Sequence, residues 1–162
     1  MTRLLPERPH DTPEVEYLYD LAFAPGRTAL SSYRLRAGPP VEGLSWMVRD
    51  DYDSLSAAIR YWPVRAGDSP CLLLGPIAVH PTRQGEGLGG LLMRHTLALA
   101  PDLGWTRVIL VGDPPYYTRF GFRRDLATGL EYPPPTNPDR LLALELVPGA
   151  MEGVAGPVTA GA

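Results

Sequence analysis

Apolar residues recur at helical spacing in two stretches and form alternating or unbroken runs elsewhere, and that contrast lays out the elements. Over residues 11–24, Val15, Leu18, Tyr19 and Ala22 share one helix face. The entry carries the right chemistry: Asp11 or Thr12 can cap, Pro13 suits the first turn, and Glu14 complements the positive end of the dipole. Pro25-Gly26 ends this helix, and a weaker one is predicted over Arg27–Arg36. Leu44–Arg49 and Leu55–Val64 read as a hairpin across Asp50-Asp51-Tyr52-Asp53. Cys71–Val79 is too continuously apolar for a surface strand. Within it, Gly75-Pro76 predicts a bulge or splay, because proline has no ladder donor. Leu88–Ala100 is the second clear helix, with Leu88, Leu91, Leu92, His95 and Leu99 along one side and Pro101 after it.

Trp105–Val111 is a buried-type strand, Pro114–Phe120 a short helix or turn, and Phe122–Arg124 and Leu141–Val147 two further strands. Tyr132–Pro138 is an irregular loop by composition, and no element is predicted from Pro148 onward. Helices, a hairpin, one strand–loop–helix–strand crossover and short strands make a mixed α/β (α+β) single sheet. It is mostly antiparallel, with one parallel pair from the crossover. One domain over residues 1–162 is expected, with about 150–162 an irregular tail.

Composition removes several functional classes. The 44% hydrophobic and 20% charged residues are those of a globular protein. No apolar run reaches the roughly 18–20 residues of a membrane helix, and the first residues are too polar for a signal peptide. Cys71 stands alone, so no internal disulfide forms, and a cytoplasmic protein without membrane partners is expected. All 15 basic residues are arginine, which excludes a P-loop lysine and a Schiff-base lysine. A net charge of -3 gives no reason to expect nucleic acid as partner, and 3 histidines without ligand spacing give no metal site.

The strongest candidate chemistry is Gln84-Gly85-Glu86-Gly87-Leu88-Gly89-Gly90, between a buried strand and an amphipathic helix. Glycines let the backbone turn sharply and approach a ligand, and N–H groups at a helix start have no intrahelical partner. With the dipole positive there, the segment suits a pyrophosphate. It also satisfies G-x-G-x-x-G through Gly85, Gly87 and Gly90, with Asp113 after the next strand, so a dinucleotide-dependent oxidoreductase is an alternative. Against that, His80–Gln84 intervene after the strand, and only one crossover is visible.

Gln84-x-x-Gly87-x-Gly89 resembles the acetyl-CoA signature of the GNAT superfamily of N-acetyltransferases, with Ile77–Pro81 similar to the strand end that leads into it. Tyr116-Tyr117-Thr118-Arg119-Phe120-Gly121-Phe122 is similar to the family's second segment. With Leu74-Gly75-Pro76 and Val111–Pro114 it looks most like the YhbS-like bacterial subgroup. The resemblance covers roughly residues 70–150 and implies a GNAT fold with a splayed parallel pair. It further implies acetyl-CoA as cosubstrate, an amine as acceptor and direct transfer; the oligomeric state stays open, a homodimer included. By the same resemblance, backbone amides of Gln84, Gly85, Glu86, Gly87, Leu88, Gly89 and Gly90 hold the pyrophosphate. Ile77, Ala78 and Val79 pair with the pantetheine arm, and Tyr117 is the acid for the leaving thiolate.

Transfer also requires a neutral amine, and a free alkylamine is mostly protonated at neutral pH. The strand that carries Ile77 has no carboxylate, so the base is open between His80, Asp113 and a water chain. His95, on the apolar stripe, reads as a satisfied histidine, and Cys71 as inert. A non-catalytic acyl-CoA-binding module would keep the loop and not need Tyr117. The Tyr132–Pro138 loop and the Pro25-Gly26 turn are expected to border the acceptor.

Overall fold

In the computed structural model, residues 2–23 and 31–161 are described. Among these residues, eight strands form one sheet: β1 (Arg3–Pro6), β2 (Trp46–Arg49), β3 (Leu55–Ala66), β4 (Ser69–Val79), β5 (Arg107–Val111), β6 (Leu130–Glu131), β7 (Leu141–Glu145) and β8 (Gly156–Ala160). The main order is β1-β2-β3-β4-β5-β7. Every neighbouring pair along it is antiparallel except β4 and β5. The helices are α1 (Thr12–Phe23), α2 (Leu88–Leu99) and the single turn α3 (Pro114–Tyr117). The mixed sheet with a parallel pair across α2 is therefore the one expected. A doubly wound parallel sheet is absent among the described residues, and the oxidoreductase alternative falls with it.

Side-chain alternation divides the core. Ala57, Ile59 and Tyr61 of β3 pack with Leu72 and Leu74 of β4 against Leu88, Leu92 and Met93 of α2. Ala58 and Ala78 face the other way, onto Val15, Leu18 and Tyr19 of α1. Further along that face, Leu73 and Ile109 are covered by Leu130, Met151 and Val158 from the C-terminal segments. Two arginines of the sheet tie α1 down. Arg60 of β3 pairs with Glu7 at 2.7 Å and with Glu16, and lies over the Tyr19 ring at 5.2 Å. Arg49 of β2 bonds Asp11 at 2.9 Å and Glu14 at 2.8 Å.

Several expectations need correction. Arg3–Pro6 is a strand, paired with β2. The C-terminal stretch supplies β8, which pairs β3 through Val64–Ala66 and makes a second, short parallel ladder with β6. β3 is 12 residues long, so β2 occupies only its first half and the rest needs a partner. Phe122–Arg124 contributes only a bridge from Arg123 to Ala143. The helix expected over Arg27–Arg36 is reduced, in the described residues, to a short 3-10 stretch at Ser31–Leu35; the Pro25-Gly26 turn lies outside the described residues. Ala22, assigned to the buried face of α1, is exposed.

Candidate functional site

The site grows from one irregularity in β4. Ile59 of β3 faces Ile77 and Tyr61 faces Leu74, so two residues, Gly75 and Pro76, oppose Arg60 alone. This is the bulge that Gly75-Pro76 predicted. On its other side β4 pairs β5 only at Leu72 and Leu73, while β5 stays paired with β7 through Val111. Beyond Leu74 the two parallel strands part, leaving Ile77–Val79 without a strand on that edge. Gly75 sits at φ +119°, open to few residues other than glycine, and its carbonyl accepts a bond from Arg36 Nε at 3.2 Å.

Two cavities occupy this gap. One, of about 790 Å³, lies between the parted strands, lined by Ile77 of β4, Val111 of β5, Tyr117 of α3 and the Tyr132–Asn137 loop. The other, of about 850 Å³, lies outside the start of α2 and is lined by Val79, Gln84, Gly85, Gly87, Gly89 and Gly90. Tyr116 lines both, so they meet at α3.

The glycine-rich loop is built to offer backbone. Gly85 and Gly87 have φ of +86° and +79°, Gly87 caps α2, and the first helical bond is Leu91 N–H to Gly87 O. The N–H groups of Leu88, Gly89 and Gly90 therefore have no partner within the helix. The Leu88 side chain is buried in the core, leaving its amide as what it presents. A Cβ on Gly89 would fall 2.9 Å from the Tyr116 hydroxyl. The flanks are fixed: Gln84 donates to Val79 O at 2.9 Å, and Arg83 bonds both oxygens of Glu86 and reaches Asp50 at 3.0 Å. Glu86 is thus neutralised by Arg83, and its carboxyl is held below its ordinary range by that bond. Arg94 of α2 and Arg119 line the same cavity and supply positive charge. Arg119 lies over the Tyr116 ring at 4.4 Å.

Tyr117 stands at the strand gap. A Cβ on Gly112 would come within 2.3 Å of its ring, so glycine there lets the ring lie on the backbone of β5's end. Phe122 and Tyr116 contact it edge-on. Burial, then the neighbouring Tyr116, pushes its hydroxyl up to about 12. It keeps its proton at neutral pH and makes no hydrogen bond among the described residues.

The other candidates separate. His80 Nδ1 accepts from the Thr82 amide at 3.2 Å, capping the turn at Pro81–Arg83, and His80 lines neither cavity. His95 packs edge-on against Trp46 at 4.2 Å, also away from both. Its Nε2 is buried without a partner among the described residues, which differs from the satisfied histidine expected. Cys71 is fully buried and its thiol is pushed up to about 12 by burial, which leaves it inert. Asp113 does line the strand-gap cavity, and it is exposed. The sequence pattern assigns no role to the lining arginines Arg36, Arg83, Arg94 and Arg140. Only Arg94 carries a signal, one helical turn after Gly90 on α2.

Residues 7–122 match the acetyltransferase (GNAT) family. The chain is 27% identical to the uncharacterized N-acetyltransferase YhbS of Escherichia coli strain K12, over 93% of this chain and 90% of that protein. The crystal structure of YhbS from Escherichia coli in complex with CoA superposes with a TM-score of 0.82 at 26% identity, covering 99% of this chain and 89% of that one. A GNAT acetyltransferase from Brucella melitensis in complex with acetyl-CoA gives 0.75 at 28% identity, covering 100% and 97%.

Proposed function

The chain belongs to the GNAT family of acetyltransferases, and from that premise we propose how its residues divide the work. It is an acetyl-CoA-dependent N-acetyltransferase. The loop amides of Gln84–Gly90 hold the pyrophosphate, and Arg94 and Arg119 balance its charge. The pantetheine arm lies along the open edge of β4 at Ile77–Val79, pairing as an added strand would. The thioester then enters the strand gap, where Tyr117 waits.

The amine nitrogen attacks the thioester carbonyl, the C–S bond breaks, and the sulfur leaves as thiolate. Tyr117 assists by donating a hydrogen bond to that sulfur. With its hydroxyl near 12, against roughly 8.5 for a thiol, full proton transfer to sulfur runs uphill. Its contribution is therefore the hydrogen bond in the transition state rather than a completed proton transfer. No carboxylate stands on β4 and His80 is committed to its turn, so the amine loses its proton to water in the cavity. Asp113 at the rim is the one acid among the described lining residues placed to order that water. The whole chain acts as one domain, and its free, buried Cys71 suits the reducing cytoplasm.

The observation that carries this reading is that Tyr116 lines both cavities, the one beside the glycine-rich loop and the one beside Tyr117, which supports a single ligand reaching from one to the other. Tyr117→Phe should lower kcat by about 10²-fold or more while acetyl-CoA still raises the melting temperature. An unchanged kcat would remove Tyr117 from the chemistry. Binding of acetyl-CoA without CoA release over any amine would favour the non-catalytic module.

A further inference from the structure

The strand-gap cavity is an uneven place for a charged acceptor. Its charged lining groups, among the described residues, are Arg36, Arg140 and Asp113, and Asp113 is exposed at the rim. The two lining arginines sit on opposite sides of the gap in matching ways. Arg36 bonds the Gly75 carbonyl of β4 through Nε at 3.2 Å. Arg140 bonds the Gly112 carbonyl, just past β5, through Nε at 3.3 Å. Each is thus anchored by its inner nitrogen to a glycine of one parted strand. Arg140 forms no ion pair among the described residues. Tyr132 lines the same wall, and its buried hydroxyl has no partner among the described residues.

We propose that the acceptor is an amine that also carries an anionic group, held between Arg140 and Arg36 while its nitrogen faces the thioester. The planar fork of arginine suits a carboxylate or a phosphate alike. Leu74, Ile77, Leu110 and Val111 give the rest of the acceptor an apolar wall. A polycation such as a polyamine would meet two guanidinium groups and a single rim carboxylate, and is repelled. This inference rests on the reading of the cavity as the acceptor side of an acetyltransferase.

Rates of CoA release from acetyl-CoA test it with matched amines on the unaltered protein: L-phenylalanine against phenethylamine, phosphoethanolamine against ethanolamine, and spermidine alone. The anionic member of at least one pair should exceed its neutral partner at least tenfold in kcat/KM, and the pair concerned tells carboxylate from phosphate. Arg140→Gln and Arg36→Gln should raise KM for that amine at least tenfold and level the pair, with little change in KM for acetyl-CoA. Arg140→Lys should recover part of the loss. Neutral amines or spermidine turned over as well as the anionic ones would overturn the inference and leave the transferase reading standing. No CoA release with any amine, while acetyl-CoA still raises the melting temperature, would overturn both.

Discussion

Tyr117 shows how much one side chain's surroundings alter its chemistry. As a free phenol it would titrate near 10, in the same range as an acceptor alkylamine. Burial moves it to about 12, so the two titrations separate. kcat/KM should therefore rise with pH as the acceptor amine loses its proton and then level off, with no descending limb near 10. A downturn at 10 in the pH–rate profile would mean that Tyr117 behaves as an ordinary exposed phenol. Gly112 is the residue that makes this placement possible. Gly112→Ala puts a Cβ where the ring now lies, 2.3 Å from Cε2, and the ring must shift. A displacement of about 1 Å at reacting groups costs on the order of 100-fold. kcat should fall by about that much with acetyl-CoA affinity nearly unchanged. The Tyr117 segment stands out in the sequence through its motif; the close approach of its ring to Gly112 does not, since nothing in one dimension says whose ring lies there.

Among elements, the loop that begins α2 and the segments that clamp α1 matter most. Gly87 is in the left-handed region at φ +79°, and a Cβ there would meet nothing within 4 Å, so substitution strains backbone rather than packing. Gly87→Ala should cost roughly 1–2 kcal/mol in that conformation; the free loop then relaxes out of it and must be strained back on binding, so titration calorimetry should find acetyl-CoA bound about 5–30-fold more weakly. Elsewhere, Arg60→Ala would take the guanidinium from Glu7, 7% exposed, and leave the Thr12 hydroxyl donating to its carboxylate. Removing one member of a buried pair costs about 3 kcal/mol, and the melting temperature should fall by roughly 6–12 °C. The helical elements were readable because α1 and α2 carry their period and boundary signals locally. β1 and β8 were not: Arg3–Pro6 and Gly156–Ala160 are strands because β2 and β3 have edges to fill. Their own residues carry only weak strand patterning.

The charge pattern of the whole molecule sets its response to acid. Burial raises the Asp11 carboxyl, but the Arg8 amide and the Arg49 guanidinium outweigh it and hold the group below its ordinary 3.8. Asp50 is lowered first by the Ser54 amide, and Glu86 by Arg83. A carboxyl lowered in the folded state binds fewer protons than it does unfolded. The stability it contributes is therefore present above the ordinary value and is lost as pH falls through the folded one. Melting temperature should be flat from neutral pH down to about 5 and drop below 4, and Asp11→Asn should flatten that drop. Ligand acts in the opposite sense. Acetyl-CoA at 100 times its dissociation constant should add about 2.7 kcal/mol, seen as a higher melting temperature.

The chain alone determined what local chemistry can write: two amphipathic helices, a buried strand broken at Gly75-Pro76, a glycine-rich helix start that needs no side chains, and a tyrosine segment after the next strand. These signals lie within a few residues of each other, where backbone sterics and hydrophobic period act directly. Tertiary structure decided the rest. It set His80 into a turn and His95 against Trp46, and it brought Arg36 and Arg140 to two sides of one gap from positions 104 residues apart in the chain. The cavity between parted strands belongs to no segment, because it exists only where β4 bulges away from β5.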